Sequence, residues 1–367
     1  MIILLAFLTW LYLVFLHGKF WVSGPELKPA QPLTTPDVDI IVPARDEAML
    51  IGPVIASLLA QAYPGNFRVI LVDDNSTDGT ALAAGADPRL TIIPGTPKPA
   101  GWAGKLWALA QGVAASTAPL IFFTDADITH DPRHLATLVA RLNTPRADMV
   151  SEMVRLHCAS WPERFLIPAF VYFFQMLYPF SRVNDPRARM AGAAGGAVLI
   201  RREALRRIGG IEAIKGALID DVTLARAVKK NGAIYLGHSG LAQSIRPYPR
   251  AADIWDMIAR SAFTQLNYSS LILVGTILGL ALVWLAAPCA ILFCGVHSWR
   301  FWFGLATYAL GVVSYLPTLR RYNQPSYMAL ALPGIAVFYM AATIASAMQY
   351  WRGAGAKWKN RAYKGAA

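Results

Sequence analysis

Long apolar runs at both ends of the chain limit what it can fold into more than any other feature. Three close it, about Ser270 to Val296, Phe301 to Leu319 and Tyr327 to Tyr350, and Met1 to Leu16 opens it. Each closing run is near the roughly 20 residues needed to cross a bilayer. With 55% hydrophobic and only 15% charged residues, the chain carries more apolar surface than one soluble core can bury. Most Asp and Glu residues fall between Asp37 and Asp256. The chain therefore reads as a soluble middle held by membrane-embedded flanks.

His17, Lys19 and Trp21 follow the opening run as an interfacial residue would follow a membrane helix, so residues 1–22 are expected to form an anchor. A signal peptide is the alternative, but a positive start and a small-residue cleavage site are missing. Residues 23–36, rich in Pro and polar residues, read as a linker, 37–268 as the soluble domain, 269–350 as membrane helices and 351–367 as a basic cytoplasmic tail. Three crossings would put that tail opposite the domain, whereas the positive-inside rule puts it and Arg320-Arg321 on the cytoplasmic side. One run is then re-entrant or interfacial, and Pro333-Gly334 marks the last as the candidate. Trp161 to Phe180 is apolar and aromatic but broken by Pro162, Glu163, Arg164, Pro168 and Pro179, which fits an interfacial helix over about 161–180. The net charge of +12 lies among Trp, Tyr and apolar runs, as expected beside anionic lipid rather than nucleic acid. Cys158, Cys289 and Cys294 lack metal-ligand spacing and read as packing residues.

Within the middle, β-rich runs alternate with helical stretches: Asp39 to Pro43, Ala48 to Ala62, Phe67 to Val72, Thr80 to Ala84. Leu120 to Thr124 and Gly196 to Ile200 read as further strands. The alternation implies an α/β fold with a mostly parallel sheet, whose ligands bind beyond the carboxyl ends of the strands. The acidic motifs fall there.

Thr124-Asp-Ala-Asp127 directly follows a strand. Carboxylates two apart on extended chain project to one side, and hard oxygens suit Mg²⁺ or Mn²⁺ bridging two phosphates; a solvated turn before Asp131-Pro132 is the bland reading. In Val72-Asp-Asp-Asn-Ser-Thr-Asp-Gly79, Asp74 could accept from a base N–H while Ser76 and Asp78 cap the next helix. Asp220-Asp221 leads into a helix over Val222 to Lys230, where either can cap and a held carboxylate can serve as general base, Asp221 before Asp220. Gly101-Trp-Ala-Gly-Lys105 precedes a helix over Leu106 to Ala114, so Lys105 and backbone N–H groups could meet phosphate. Ala191-Gly-Ala-Ala-Gly-Gly196 permits close backbone approach to a sugar, or only a tight turn.

The succession Pro43-Ala-Arg-Asp-Glu47, Asp73-Asp74-Asn-Ser, Asp125-Ala-Asp127, Gly195-Gly-Ala-Val-Leu-Ile-Arg-Arg202 and Asp220-Asp221 resembles the family 2 glycosyltransferases over about Val38 to Tyr268. The resemblance implies a GT-A (Rossmann-like) catalytic domain and an inverting sugar transfer from a nucleotide-sugar, UDP being the family's commonest carrier. Within the family, Gly-Trp-Ala-Gly-Lys105, Thr-Asp-Ala-Asp-Ile128, Ala-Phe-Thr-Gln-Leu266 and a Trp-Lys-x-Arg-x-Tyr tail look most like the hopene-associated glycosyltransferases of bacterial hopanoid loci. It further implies that Pro43, Arg45, Glu47, Asp73 and Asp74 surround the nucleobase and ribose, that Asp125 meets the ribose or diphosphate with Lys105 near phosphate, and that Asp127, with Asp125, ligates Mg²⁺ or Mn²⁺. Asp221 would deprotonate the acceptor hydroxyl. Processive relatives carry Gln-x-x-Arg-Trp, whereas this chain has Gln265-Leu-Asn-Tyr268; the missing Arg and Trp point to transfer of one sugar and leave the role of Gln265 open.

The expected activity is thus sugar transfer to a membrane lipid, possible acceptors including a hopanoid, by a multi-pass protein of the bacterial inner membrane with its catalytic domain cytoplasmic. Transfer to a polyprenyl phosphate is the alternative chemistry. A non-catalytic scaffold or transporter is the alternative class, disfavoured because the terminal runs hold no buried charge beyond a boundary Arg300.

Overall fold

Val38 to Ala44 is buried along its whole length, as a strand covered by helices on both faces must be. The computed structural model describes residues 1–143 and 147–353, with the backbone of 357–358 and 361–362. Most of the basic tail expected over 351–367 thus lies outside the described residues. Helix α1 (Ile2–Leu11) continues through a π-helical turn (Tyr12–Leu16) to the short strand β1 (Glu26–Leu27). Then β2 (Val38–Ala44), α2 (Ala48–Leu59), β3 (Phe67–Asp73), α3 (Thr80–Ala83), β4 (Leu90–Pro94), α4 (Gly104–Ala115) and β5 (Leu120–Thr124) alternate. After them come β6 (Ile128–His130), α5 (His134–Asn143), β7 (Met149–Arg155), α6 (Trp161–Leu177) and α7 (Phe180–Asn184). The sheet domain ends with β8 (Ala197–Arg201), α8 (Arg202–Arg207), α9 (Asp220–Lys229), β9 (Ile234–Ser244), α10 (Ala251–Ala259) and α11 (Ala262–Gln265). Helices α12 (Ser270–Trp284), α13 (Ala286–Phe293), α14 (Trp299–Arg321) and α15 (Leu332–Trp351) follow.

The strand order is β1-β9-β7-β8-β5-β2-β3-β4, with β6 paired to β9. The β2–β3, β2–β5, β3–β4 and β7–β9 pairs are parallel, so the mostly parallel sheet is present as expected. Strand β8 is reversed between β5 and β7. The reversal sets Ala197 opposite Thr124, which delivers Gly195-Gly196 to the carboxyl end of β5.

Several boundaries differ from expectation. Helix α4 begins at Gly104, which puts Lys105 in its first turn. Helix α9 begins at Asp220 with Ile219 at the cap position, so neither Asp caps it; both sit in the positive first turn. The linker contributes β1, paired to β9. Pro168 does not break α6, which runs 17 residues without interruption. Its Glu163, an apparent defect in an apolar stretch, is fully buried. The carboxylate accepts from the backbone N–H of Ala159 (2.9 Å), Ser160 (2.7 Å) and Tyr248 (2.6 Å) and from His157 Nδ1 (2.7 Å). It closes a capping box with Ser160 and ties α6 to the connection between β9 and α10.

Two helical stretches, Trp299–Arg321 and Ser326–Trp351, are long and apolar enough to cross a membrane, and the α12–α13 pair, bent by 46°, is a third if it acts as one span. The last stretch doubles back. Tyr322 Oη accepts from Leu156 N at the sheet domain (3.4 Å), Tyr308 Oη donates to Leu330 O beside the middle of α14 (2.6 Å), and Tyr350 stacks on Tyr268 before α12 (4.5 Å). Contacts near both ends of the stretch therefore reach back toward the sheet domain.

Replacing Glu163 with Ala strands three backbone donors in a buried site and is expected to cost about 2–4 kcal/mol. His157→Ala, which removes one half-exposed donor, should cost under about 1 kcal/mol. Thermal unfolding of both variants in detergent checks the ranking; equal losses would rule out the hub role.

Candidate active site

The carboxyl ends of β2 and β3 each open into a loop with a residue at positive φ, Asp46 (50°) and Asn75 (56°). Cross-bracing holds these strained residues. Asp46 N donates to Ser76 Oγ (3.0 Å), Thr77 N to Asp46 Oδ1 (2.9 Å), Glu47 N to Thr80 Oγ1 (2.8 Å) and Ala48 N to Asp78 Oδ2 (2.9 Å). Ser76 thus pins the neighbouring loop instead of capping its own helix, while Asp78 also accepts from Thr80 N (3.0 Å). Asp73 Oδ1 accepts from Ser76 N (3.0 Å), and Arg45 donates to the backbone carbonyl of buried Asp74 (2.6 Å).

At the end of β5, a buried chain of polar groups fixes the residue before Asp125. Thr124 Oγ1 donates to Gly196 O (2.8 Å) and meets His130 Nε2 (3.0 Å); His130 Nδ1 lies 2.8 Å from His134 Nδ1, and His134 Nε2 lies 2.6 Å from Glu152. Burial, then His134, drives the His130 imidazolium well below its usual pKa, so that ring is neutral.

Lys105 joins three elements. Its Nζ lies 2.7 Å from Asp125 Oδ1 and 3.3 Å from Asp220 Oδ2. Burial opposes the ammonium, but Asp125 and Asp220 outweigh it and hold the pKa well above the lysine range. The cavity here, only about 20 Å³, is lined by Pro43, Lys105, Asp125, Gly195, Asp220 and Asp221 among others. A Cβ on Gly195 would stand 3.4 Å from both Asp221 Oδ2 and Lys105 Nζ, so the backbone approaches the carboxylates closely. Burial, then Asp220, pushes the Asp221 carboxyl up to about 7, and burial also raises Asp125 against the pull of Lys105.

Arg246 went unrecognised in the sequence. It donates to Asp127 Oδ2 (2.6 Å) and to Glu47 Oε1, joining β2's loop to the acidic motif. Its only sequence signal was a lone Arg in Ile245-Arg-Pro-Tyr-Pro249. The structure therefore brings Glu47 toward Asp127 through Arg246, pairs Arg45 with Asp74, and gathers Lys105, Asp125, Asp220 and Asp221. Gln265 Nε2 donates to Tyr178 Oη, whose ring lies under Gly192.

Glu47, Asp125, Asp127, Asp220 and Asp221 face the paired cations Lys105 and Arg246, leaving an excess of negative charge. Among the described residues no three His, Cys, Asp or Glu side chains form a cage that could hold a metal alone. Two hard carboxylates without a cage fit Mg²⁺ or Mn²⁺, which keeps waters and takes substrate phosphates as its remaining ligands.

Residues 39–209 match the model of glycosyl transferase family 2, so the chain carries a family 2 glycosyltransferase domain. Among curated relatives, it is 33% identical over 114 residues to an uncharacterised glycosyltransferase of Mycobacterium tuberculosis, covering 31% of this chain and 47% of that one. It is 26% identical over 128 residues to dodecaprenyl-phosphate galacturonate synthase of Rhizobium johnstonii (32% and 36% covered). It is 37% identical over 90 residues to 4,4'-diaponeurosporenoate glycosyltransferase of Staphylococcus aureus (24% of each). The matches span under half the length of these relatives. A solved mannosyltransferase from Pyrobaculum calidifontis, in complex with GDP-Man and Mn²⁺, superposes with a TM-score of 0.59 at 22% identity over 95% of this chain and 98% of that one. That likeness establishes a shared GT-A-like fold.

The raised Asp221 pKa has a definite consequence for stability. A carboxyl raised from 3.8 to about 7 contributes fully only below its unfolded pKa, and the contribution is lost as pH rises through the folded value. In metal-free buffer, Asp221→Asn should therefore gain in melting temperature over the native chain as pH rises from about 4 to about 8. A difference that stays constant across that range would remove the perturbed carboxyl.

Proposed function

We propose that this protein transfers one sugar from a nucleotide-sugar to a membrane lipid with inversion, at the cytoplasmic face of a bacterial inner membrane. The placement of Asp221 carries the reading. Its carboxyl is held near neutrality beside Lys105 and Asp125, where an acceptor hydroxyl can lose its proton while the diphosphate leaves. Pro43, Arg45, Glu47, Asp73 and Asp74, at the carboxyl ends of β2 and β3 and on the braced loops that follow, take the nucleobase and ribose. Lys105 meets the diphosphate and stabilises charge as it leaves. Asp127 and Asp125 would hold Mg²⁺ or Mn²⁺, which supplies neutralisation of the leaving diphosphate when bound. Gln265 holds Tyr178 against Gly192.

A lipid acceptor is supported by the apolar helices packed on the domain and by the relatives named for lipid-linked products. A hopanoid is the finer reading that the motif resemblance implies, and UDP the carrier it implies. Transfer to a polyprenyl phosphate is the second reading, favoured by the match to dodecaprenyl-phosphate galacturonate synthase. An acceptor phosphate is already anionic and needs no strong base.

Turnover of a panel of labelled nucleotide-sugars in native lipid extract, with Mn²⁺ or EDTA, tests the reading. Metal-dependent label in the organic phase is expected, with Asp127→Asn and Asp221→Asn each lowering kcat by about 10²–10⁴. Loss in Asp127→Asn alone would favour the phosphate acceptor, and full activity in both would refute the site. For topology, single cysteines at Asn323 and Arg352 in a chain stripped of native cysteines should label from one side of the membrane, and one at His297 from the other. Labelling of the first two from opposite sides would overturn the re-entrant arrangement.

A further inference from the structure

A second cavity, of about 360 Å³, opens where the sheet domain meets the membrane helices and shares no lining residue with the acidic one. Ser23, Arg155, His238, Ser239, Arg320 and Arg321 supply its polar wall. The one carboxylate there, Glu26, is paired with Arg321 (3.4 Å), which also donates to Ser23 Oγ (3.1 Å). Among the described residues, neither Arg155 nor Arg320 has an ion-pair partner. Burial, then Arg321, holds His238 well below its usual pKa, so its ring offers a hydrogen-bonding nitrogen but no charge.

Two unpaired guanidiniums lining one recess repel each other, and an anion between them relieves that cost. The position selects the anion. Arg320-Arg321 end the 23-residue α14, and Val22-Ser23 mark where the first helix passes into the linker. The cavity thus opens at the depth of lipid headgroups, and Val22, Met153, Val154 and Pro317 supply an apolar wall beside the arginines. A soluble anion has no use for such a wall, whereas a phosphodiester with its glycerol stem fits both halves. Guanidinium is also the side chain suited to bidentate phosphate recognition.

We propose that this cavity binds the phosphate of one anionic membrane phospholipid, at a site separate from the sugar-transfer centre. The bound lipid would fix the sheet domain against the membrane surface at the junction of β7, β9 and α14. The inference stands on the cavity alone and does not depend on the transfer chemistry.

Native mass spectrometry of the full chain in neutral detergent, titrated with phosphatidylglycerol, phosphatidylcholine or inorganic phosphate, tests it. One phosphatidylglycerol should be retained in preference to phosphatidylcholine. The Arg155→Gln/Arg320→Gln variant should bind it about tenfold or more weakly, while Arg155→Lys/Arg320→Lys keeps most of the affinity. Excess inorganic phosphate should leave the lipid bound. Equal retention by the Gln variant or equal binding of phosphatidylcholine would overturn the site, and displacement by inorganic phosphate would make it a soluble-anion site. If the double Gln variant proves polydisperse, Arg320→Gln alone, at an exposed residue, carries the same comparison.

Discussion

The site depends on one half-buried ammonium. Lys105 rises from the first turn of α4 between Asp125, at the end of β5, and Asp220, at the start of α9. Without it, three carboxylates from two separate elements would crowd a cavity of about 20 Å³, and their repulsion would drive them to protonate or the loops to part. With it, the acids stay together, yet the positive charge does not reach all of them equally. Asp125 and Asp220 take the direct contacts, and Asp221 keeps the burial and the like charge beside it. The same interaction that assembles the site therefore leaves one carboxyl poised near neutrality, as a base requires.

A second constraint fixes the domain against the terminal helices. The main core runs without a break from Ile41 and Ile70 in the sheet, through α6, to Tyr315, Leu332 and Ile335 in the terminal helices. Polar rungs cross it: Tyr172 Oη to Ser314 Oγ (2.6 Å) and Tyr339 Oη to Leu166 O (2.8 Å). Apolar packing fills space but sets no register, whereas hydrogen bonds in a dry interior have few alternative partners. Glu163 anchors the amino end of α6, and these rungs hold its flank. Sheet and membrane helices consequently form one body rather than a domain on a tether.

The strands β2, β3 and β5 were legible because each is a continuous apolar run followed by an acidic or polar turn, and the chemistry follows from that position. The reversal of β8 was not, because a short buried strand has the same sequence pattern in either direction. Helix starts were misplaced at Lys105 and Asp220, where the first turn looks like a loop from composition alone. Arg246 left almost no local trace, since its meaning lies in two partners at Glu47 and Asp127, far away in the chain.

The two cationic systems of the molecule obey opposite logic. Lys105 and Arg246 are each paired with two carboxylates. Their pairing avoids an uncompensated charge in a poorly solvated place. Arg155 and Arg320 line the second cavity, and among the described residues neither has an acid paired with it. Acids paired with cations suit a site that exchanges charge during a reaction. Arginines without internal partners suit one that is filled by its surroundings and stays filled.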